Sequence, residues 1–131
     1  MQKDVIESYV AAVIEHGEKA HNGDYRGANK AYDRGIEALA EFRKLPDRGE
    51  RILLWLLHHP NDWVKLNAAT DLLLLNEAAA RPVLEHLAAG PAFHVDLSAE
   101  NTLREWDAGR LRSLLPKAPS REQDDPDDQD E

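Results

Sequence analysis

Six histidines and 25 acidic side chains among 131 residues are the raw material for metal or acid–base chemistry. Their spacing decides what they can do. His58 and His59 are adjacent, so on one helix they point about 100° apart and cannot grip one ion together. Glu18 and His21 have the three-residue spacing of one half of a di-iron carboxylate site, but that chemistry uses two such pairs and the sequence holds one. His94 and Asp96 form an isolated pair in a predicted turn. Surface and capping roles account for all of these, and neither a metal nor a cofactor is expected.

Covalent hydrolysis fares no better. It needs a nucleophile beside an oriented base, and none of Ser8, Ser98, Ser113 or Ser120 lies in a Gly-x-Ser-x-Gly elbow. No glycine-rich phosphate loop is present. The absence of cysteine removes disulfides, thiolate catalysis and Cys-ligated zinc together. A carboxylate pair can be drawn on paper from Asp62, Asp71, Glu100 and Glu105, but with no predicted cleft to raise one pKa it has no acid–base role. The sequence therefore predicts a protein that is not an enzyme.

The tryptophans point to binding instead. Trp55, in the apolar run Ile52 to Leu57, and Trp106, one turn from Leu103, read as core. Trp63 stands at a helix start on a strip with Asn67, Thr70, Asp71 and Leu74. There it serves either as a staple against the preceding turn or as an exposed anchor of the kind enriched at binding hot spots. Together with Glu100, Glu105 and Asp107 of the last helix, this strip is the expected protein-binding surface, acidic with an aromatic centre.

The elements that must position these residues are helical. From His59 to Leu73, extended to Leu75, the pattern puts Val64, Ala68, Leu72 and Leu75 on one side. Leu66, Ala69 and Leu73 fall on a neighbouring side, which predicts a helix covered on two faces. A first helix runs from Asp4, paired with Glu7 as a capping box, to about Ala20. It carries Ile6, Val10 and Val13, with Val5, Tyr9 and Ala12 beside them. A second starts at the cap Asp24 and reaches about Lys44, with a buried stripe of Tyr25, Ala28, Tyr32, Ile36, Leu39 and Phe42 or Arg43. Asp47 caps a third, Arg48 to His58, with Ile52, Leu53, Leu56 and Leu57 inward. Pro82 is tolerable in a first turn, which starts the next helix near Ala80 or Arg81 and ends it at Gly90-Pro91. The last helix follows Ser98 and runs to about Leu115.

Residues 1–115 make one domain by size. Residues 116–131 form a tail of seven acids against two bases, which carries −5 of the formal net charge of −9. With nothing to bury, it is expected to be disordered. The 42% apolar and 31% charged content, with Val and Ile sparse, is that of a soluble all-α chain. The longest apolar runs fall far short of the roughly 20 residues that span a bilayer. The segment Met1 to Glu7 turns acidic before any signal-like run, so a cytoplasmic location without membrane attachment is expected. The net charge repels nucleic-acid phosphates and favours a protein partner with a basic surface.

Pro60-Asn61-Asp62, Val64-Lys65 and Ala68-Ala69 together resemble the second helix of a HEAT or armadillo repeat. The resemblance implies an all-α fold, a short right-handed solenoid of about six helices. Its hairpins would be Arg48 to Leu75 and Ala80 to Leu115, capped by the two long helices. Gly23-Asp24-Tyr25, Ala28, Ala31-Tyr32 and Ile36 are similar to the first helix of a tetratricopeptide hairpin, but Pro46 arrives one helix too early for that repeat. Gly-Asp-Tyr followed by Ala28-Asn29-Lys30, ahead of the Leu-rich helix and the Val-Lys and Ala-Ala motif, resembles a family of small bacterial HEAT-like proteins without an assigned activity. That implies a fold and a bacterial source, and supplies no active site.

The function expected is a non-enzymatic protein-binding module. Its sharper form is an immunity- or antitoxin-like inhibitor that masks the basic face of a toxin by charge complementarity. One alternative is a HEAT-like nucleic-acid-modifying enzyme similar to the alkylpurine DNA glycosylases. That would need a basic groove, for which Lys65, Arg104, Arg110 and Arg112 are the available residues. Another is a structural homodimer on the Leu-rich helices, with Leu74 or Trp63 between chains. Monomer and homodimer both remain open.

Overall fold

The computed structural model describes residues 2–110, which form six α-helices and no strand. These are α1 (Gln2–His21), α2 (Tyr25–Arg43), α3 (Glu50–Leu56), α4 (Asp62–Leu72), α5 (Glu77–Ala88) and α6 (Val95–Asp107). No helix among the described residues is long and apolar enough to cross a membrane. The expected acidic tail and the end of the last helix at Leu115 lie outside the described residues.

Side-chain caps set three of the helix starts. Asp24 accepts a hydrogen bond from the Gly27 amide at 3.0 Å, Asn61 from the Trp63 amide at 2.8 Å, and Asn76 from the Ala79 amide at 3.0 Å, each satisfying a donor the first turn leaves free. Other starts differ from the sequence expectation. α1 begins at Gln2, so Asp4 lies within its first turn and is not the cap; there it complements the positive end of the helix dipole. Asp47 does accept from the Gly49 and Arg51 amides, but positive φ at Arg48 (59°) and Gly49 (88°) delays α3 to Glu50. α5 starts ahead of Ala80: Asn76 caps it, and Pro82 lies inside the helix, where it forfeits one backbone bond. The carbonyl left unbonded belongs to Ala78, an exposed residue. α6 begins before Ser98, just after the positive-φ residue His94.

The core is built on α4. Val64, Ala68 and Leu72 on one face and Leu66, Ala69 and Leu73 on the other are all buried. Those faces meet α1, α3, α5 and α6. Tyr9 reaches Asp71 and Gly17 lies against Trp63, so α1 and α4 run antiparallel. α1 and α2 form a long hairpin in which Tyr9 packs on Phe42 and His16 on Tyr32.

Two apolar expectations are overturned. Tyr25 (67%), Tyr32 (51%) and Ile36 (45%) are exposed, although Ala28, Leu39 and Phe42 of the same expected stripe are buried. α2 turns its small residues to α1: Ala28, Ala31 and Ala38 are buried, and a Cβ at Gly35 would sit 3.8 Å from that of Ala12. Close approach along this seam places the bulky side chains outside. Trp55 is 65% exposed, not core. Leu53 and Leu56 of α3, with Leu57 at its C-cap, fill the inward side, and Trp55 falls outside that side at helical spacing. Trp106 and Leu103 are half-buried against the core.

Candidate functional site

The strip Asn67, Thr70, Asp71 is not open to solvent on a free helix face. It forms one wall of a pocket of about 130 Å³ whose other walls are α1, through Tyr9 and His16, and α2, through Tyr32 and Ile36. That volume holds about four waters at roughly 30 Å³ each, enough for one small polar head and too little for a nucleotide.

The hydrogen bonds inside the pocket leave it rich in acceptors. The Tyr9 hydroxyl donates to Asp71 Oδ2 at 2.6 Å, Asn67 Nδ2 donates to the Trp63 carbonyl at 3.0 Å, and Thr70 Oγ1 donates to the Leu66 carbonyl at 2.8 Å. His16 Nδ1 lies 2.9 Å from the Ala28 carbonyl, which can only accept, so Nδ1 carries a proton and donates. Three hydroxyl or amide donors are thus turned to protein oxygens. The acceptors they leave are the carboxylate of Asp71, Oδ1 of Asn67 and the lone pairs of Thr70 Oγ1, beside the second N–H of Asn67 and the Tyr32 hydroxyl as donors.

The electrostatics follow from burial. Desolvation pushes the Asp71 carboxyl up to about 6, against the opposing pull of the Tyr9 hydrogen bond and of Arg43. Tyr9 is raised well above the usual phenol range by its own burial and by the adjacent Asp71 charge. Tyr32 is raised for the same reasons, with Asp33 contributing.

The remaining residues of the expected surface are dispersed. Trp63 is half-buried, with its indole stacked where a Cβ on Gly17 would stand 2.2 Å away, and it borders a separate recess with Ala92, Phe93 and Val95. It therefore packs on α1, an arrangement different from both a staple on the preceding turn and a free anchor. Leu74 lines a small cavity of about 40 Å³ on the other side of Asp71, beside Arg43 and Arg48. On α6, Asp107 is held by Arg81 through two bonds of 2.8 and 2.9 Å, and Glu105 by Arg110, while Glu100 is exposed. Sequence reasoning missed Tyr9, His16 and Tyr32. Tyr9 and Asp71 are 62 residues apart, a pairing that no local spacing reveals. Among the described residues, no group of three or more His, Asp or Glu is placed to hold a metal ion.

A family described as a domain of unknown function (DUF2019) matches residues 3–107. The chain is also similar to a protein of known crystal structure, RPA1889 from Rhodopseudomonas palustris CGA009. The two share 22% identity and a TM-score of 0.77, over 83% of this chain and 90% of that one. At that identity the likeness speaks for the all-helical fold alone. No curated protein matches significantly.

Proposed function

We propose that this chain, which belongs to the DUF2019 family of domains of unknown function, is a non-enzymatic protein-binding module whose partner presents a basic surface to the outer face of α2. One observation carries the reading: Tyr25, Tyr32 and Ile36, seven and four residues apart, stand in a row on the exposed side of that helix, with Tyr32 also packed on His16. Isolated exposed apolar residues are ordinary, but a row of three beside an acceptor-lined pocket is the anatomy of an interface, with aromatic anchors and a polar specificity element. Burying such a side chain stabilises a complex by roughly 1.5–3 kcal/mol before association costs.

Charge selects the partner. The chain carries −9, of which −5 lies in residues 116–131, and several of its cations are engaged by its own acids: Arg34 and Lys19 by Glu15, Lys65 by Asp62, Arg81 by Asp107. This supports a basic protein over a nucleic acid, and an inhibitor that masks a basic enzyme is the sharper form of the same reading. In its finer architecture we infer that α3–α4 and α5–α6 stack as HEAT-like hairpins, a reading supported by the packing of α4 on both α3 and α5.

The test is capture from a lysate of the source cell by tagged wild-type chain beside Tyr32→Ala/Ile36→Ser, followed by affinity measurement with the purified partner. The expected result is a basic protein held by the wild type and weakened at least tenfold by the double variant. A wild type that retains nothing, or a partner bound equally by both forms, refutes the proposal.

A further inference from the structure

We propose that the pocket between α1, α2 and α4 receives one organic cation, an ammonium or guanidinium on a short alkyl stem, with Asp71 as its counter-ion and Tyr9, His16 and Tyr32 as its walls. The inference rests on the reading of this chain as a module for basic partners and deepens it: the cation is a Lys or Arg side chain of the partner, inserted beside the exposed row on α2.

Three independent features converge on this ligand class. The hydrogen-bonding inventory is the first. The hydroxyls of Tyr9 and Thr70 and one N–H of Asn67 are turned to protein oxygens, which leaves the pocket a carboxylate, an amide oxygen and a hydroxyl lone pair as acceptors. An anion would meet the Asp71 charge, whereas an ammonium brings three donors and a guanidinium five to these acceptors. The second feature is the aromatic lining: Tyr9, His16 and Tyr32 border the pocket, and a cation beside aromatic rings gains a contact that strengthens as water is excluded. The third is size. About 130 Å³ fits a charged head and part of its stem. Arg43 draws the same carboxylate from the side of the smaller cavity, but no ion pair among the described residues joins the two. Asp71 thus keeps charge to offer on the open side.

The experiment uses the full chain at pH 7.5, titrated with n-butylammonium, n-propylguanidinium and, as the uncharged counterpart, n-pentanol. Backbone amide chemical shifts are followed in the wild type, Asp71→Asn and Tyr32→Ala. Asparagine retains an acceptor for the Tyr9 hydroxyl, and circular dichroism establishes that each variant is folded. If Asp71→Asn does not fold, the exposed Tyr32→Ala carries the test.

Saturable shifts at Ala12, His16, Asn67 and Thr70 are expected with both cations, at least tenfold weaker in Asp71→Asn and several-fold weaker in Tyr32→Ala. Equal binding of n-pentanol, cation affinity indifferent to both substitutions, or no saturable shift overturns the proposal. Nα-acetyl-lysine and Nα-acetyl-arginine N-methylamides separate the sources. Binding comparable to that of the free cations assigns the pocket to a protein side chain, and their exclusion refutes the side-chain assignment in favour of a free amine. Failure of the pocket is distinct from failure of the module. A basic partner lost with Tyr32→Ala/Ile36→Ser but indifferent to Asp71→Asn sinks the first alone; free cations that bind while no partner is found sink the second alone.

Discussion

Replacing Asp71 by Asn is expected to change how stability depends on pH, in a direction opposite to that of an ordinary salt-bridged acid. The Asp71 carboxyl titrates at 3.8 in an unfolded chain and at about 6 in the native one, because burial penalises its charge more than the Tyr9 bond and Arg43 relieve it. The native state therefore holds the proton more tightly than the unfolded state. Between about pH 4 and pH 6 the contribution of this carboxyl to stability falls as pH rises, and the loss is complete above that window. A shift of about two units corresponds to roughly 3 kcal/mol, an upper bound because Asp71 keeps partial exposure. Asparagine keeps an acceptor for the Tyr9 hydroxyl and has no proton to lose. His16, Tyr9, Tyr32 and Arg43, which surround the site, are common to both proteins and cancel to first order in the difference. Urea unfolding followed by circular dichroism, at half-unit steps from pH 4 to pH 8, gives that difference directly. The advantage of Asp71→Asn over wild type should grow with pH by up to roughly 3 kcal/mol, centred below pH 6. A flat difference would mean that Asp71 ionises as it does in water, and the account of the pocket's electrostatics would fail.

Gly17→Ala places a methyl 2.2 Å from the Trp63 ring, so the indole must move. A loss of about 1–3 kcal/mol with altered tryptophan emission is expected, and unchanged melting would contradict this packing. Asn76→Ala removes both the α5 cap and the 3.0 Å bond to Glu50, and should cost about 1–2 kcal/mol in chemical denaturation. Trp55→Ser should change stability by no more than about 0.5 kcal/mol, since the ring lies on the surface. A loss of several kcal/mol there would restore the core reading of that residue.

How far the sequence could be read depended on whether a feature was local. The two covered faces of α4 were legible because Val64, Ala68, Leu72 and Leu66, Ala69, Leu73 repeat at helical spacing and each face has room for little else. Asp24 was legible as a cap from turn chemistry alone. The orientation of α2 was misread because two stripes compete on it. Tyr25, Tyr32 and Ile36 have the greater hydrophobicity, but Ala28, Ala31, Gly35, Ala38 and Phe42, spaced three, four, three and four, permit the closer helix contact. That small-residue spacing was the available signal. Of the candidate site, Asn67, Thr70 and Asp71 were found as a strip, because one helix face can be drawn from one segment. Their partners on α1 and α2 were not, because Tyr9 meets Asp71 through tertiary packing. The acids of α6 appeared free in the sequence because Arg81, on a different helix, could not be matched to Asp107 by spacing.

The central place of α4 has a consequence for synthesis on the ribosome. The chain emerges from its N-terminus, so α1 and α2 are complete long before α4. They can close their seam of small residues, yet Tyr9 still lacks Asp71 and the Gly17 hollow lacks its indole. Until residues 62–72 leave the exit tunnel, the nascent hairpin carries an unfilled apolar face and a phenol without its acceptor. During that interval the exposed apolar face is open to chaperones and to association with other chains. The arrival of one eleven-residue helix ends it, because α4 contacts α1 and α3 already made and supplies the surface on which α5 and α6 settle.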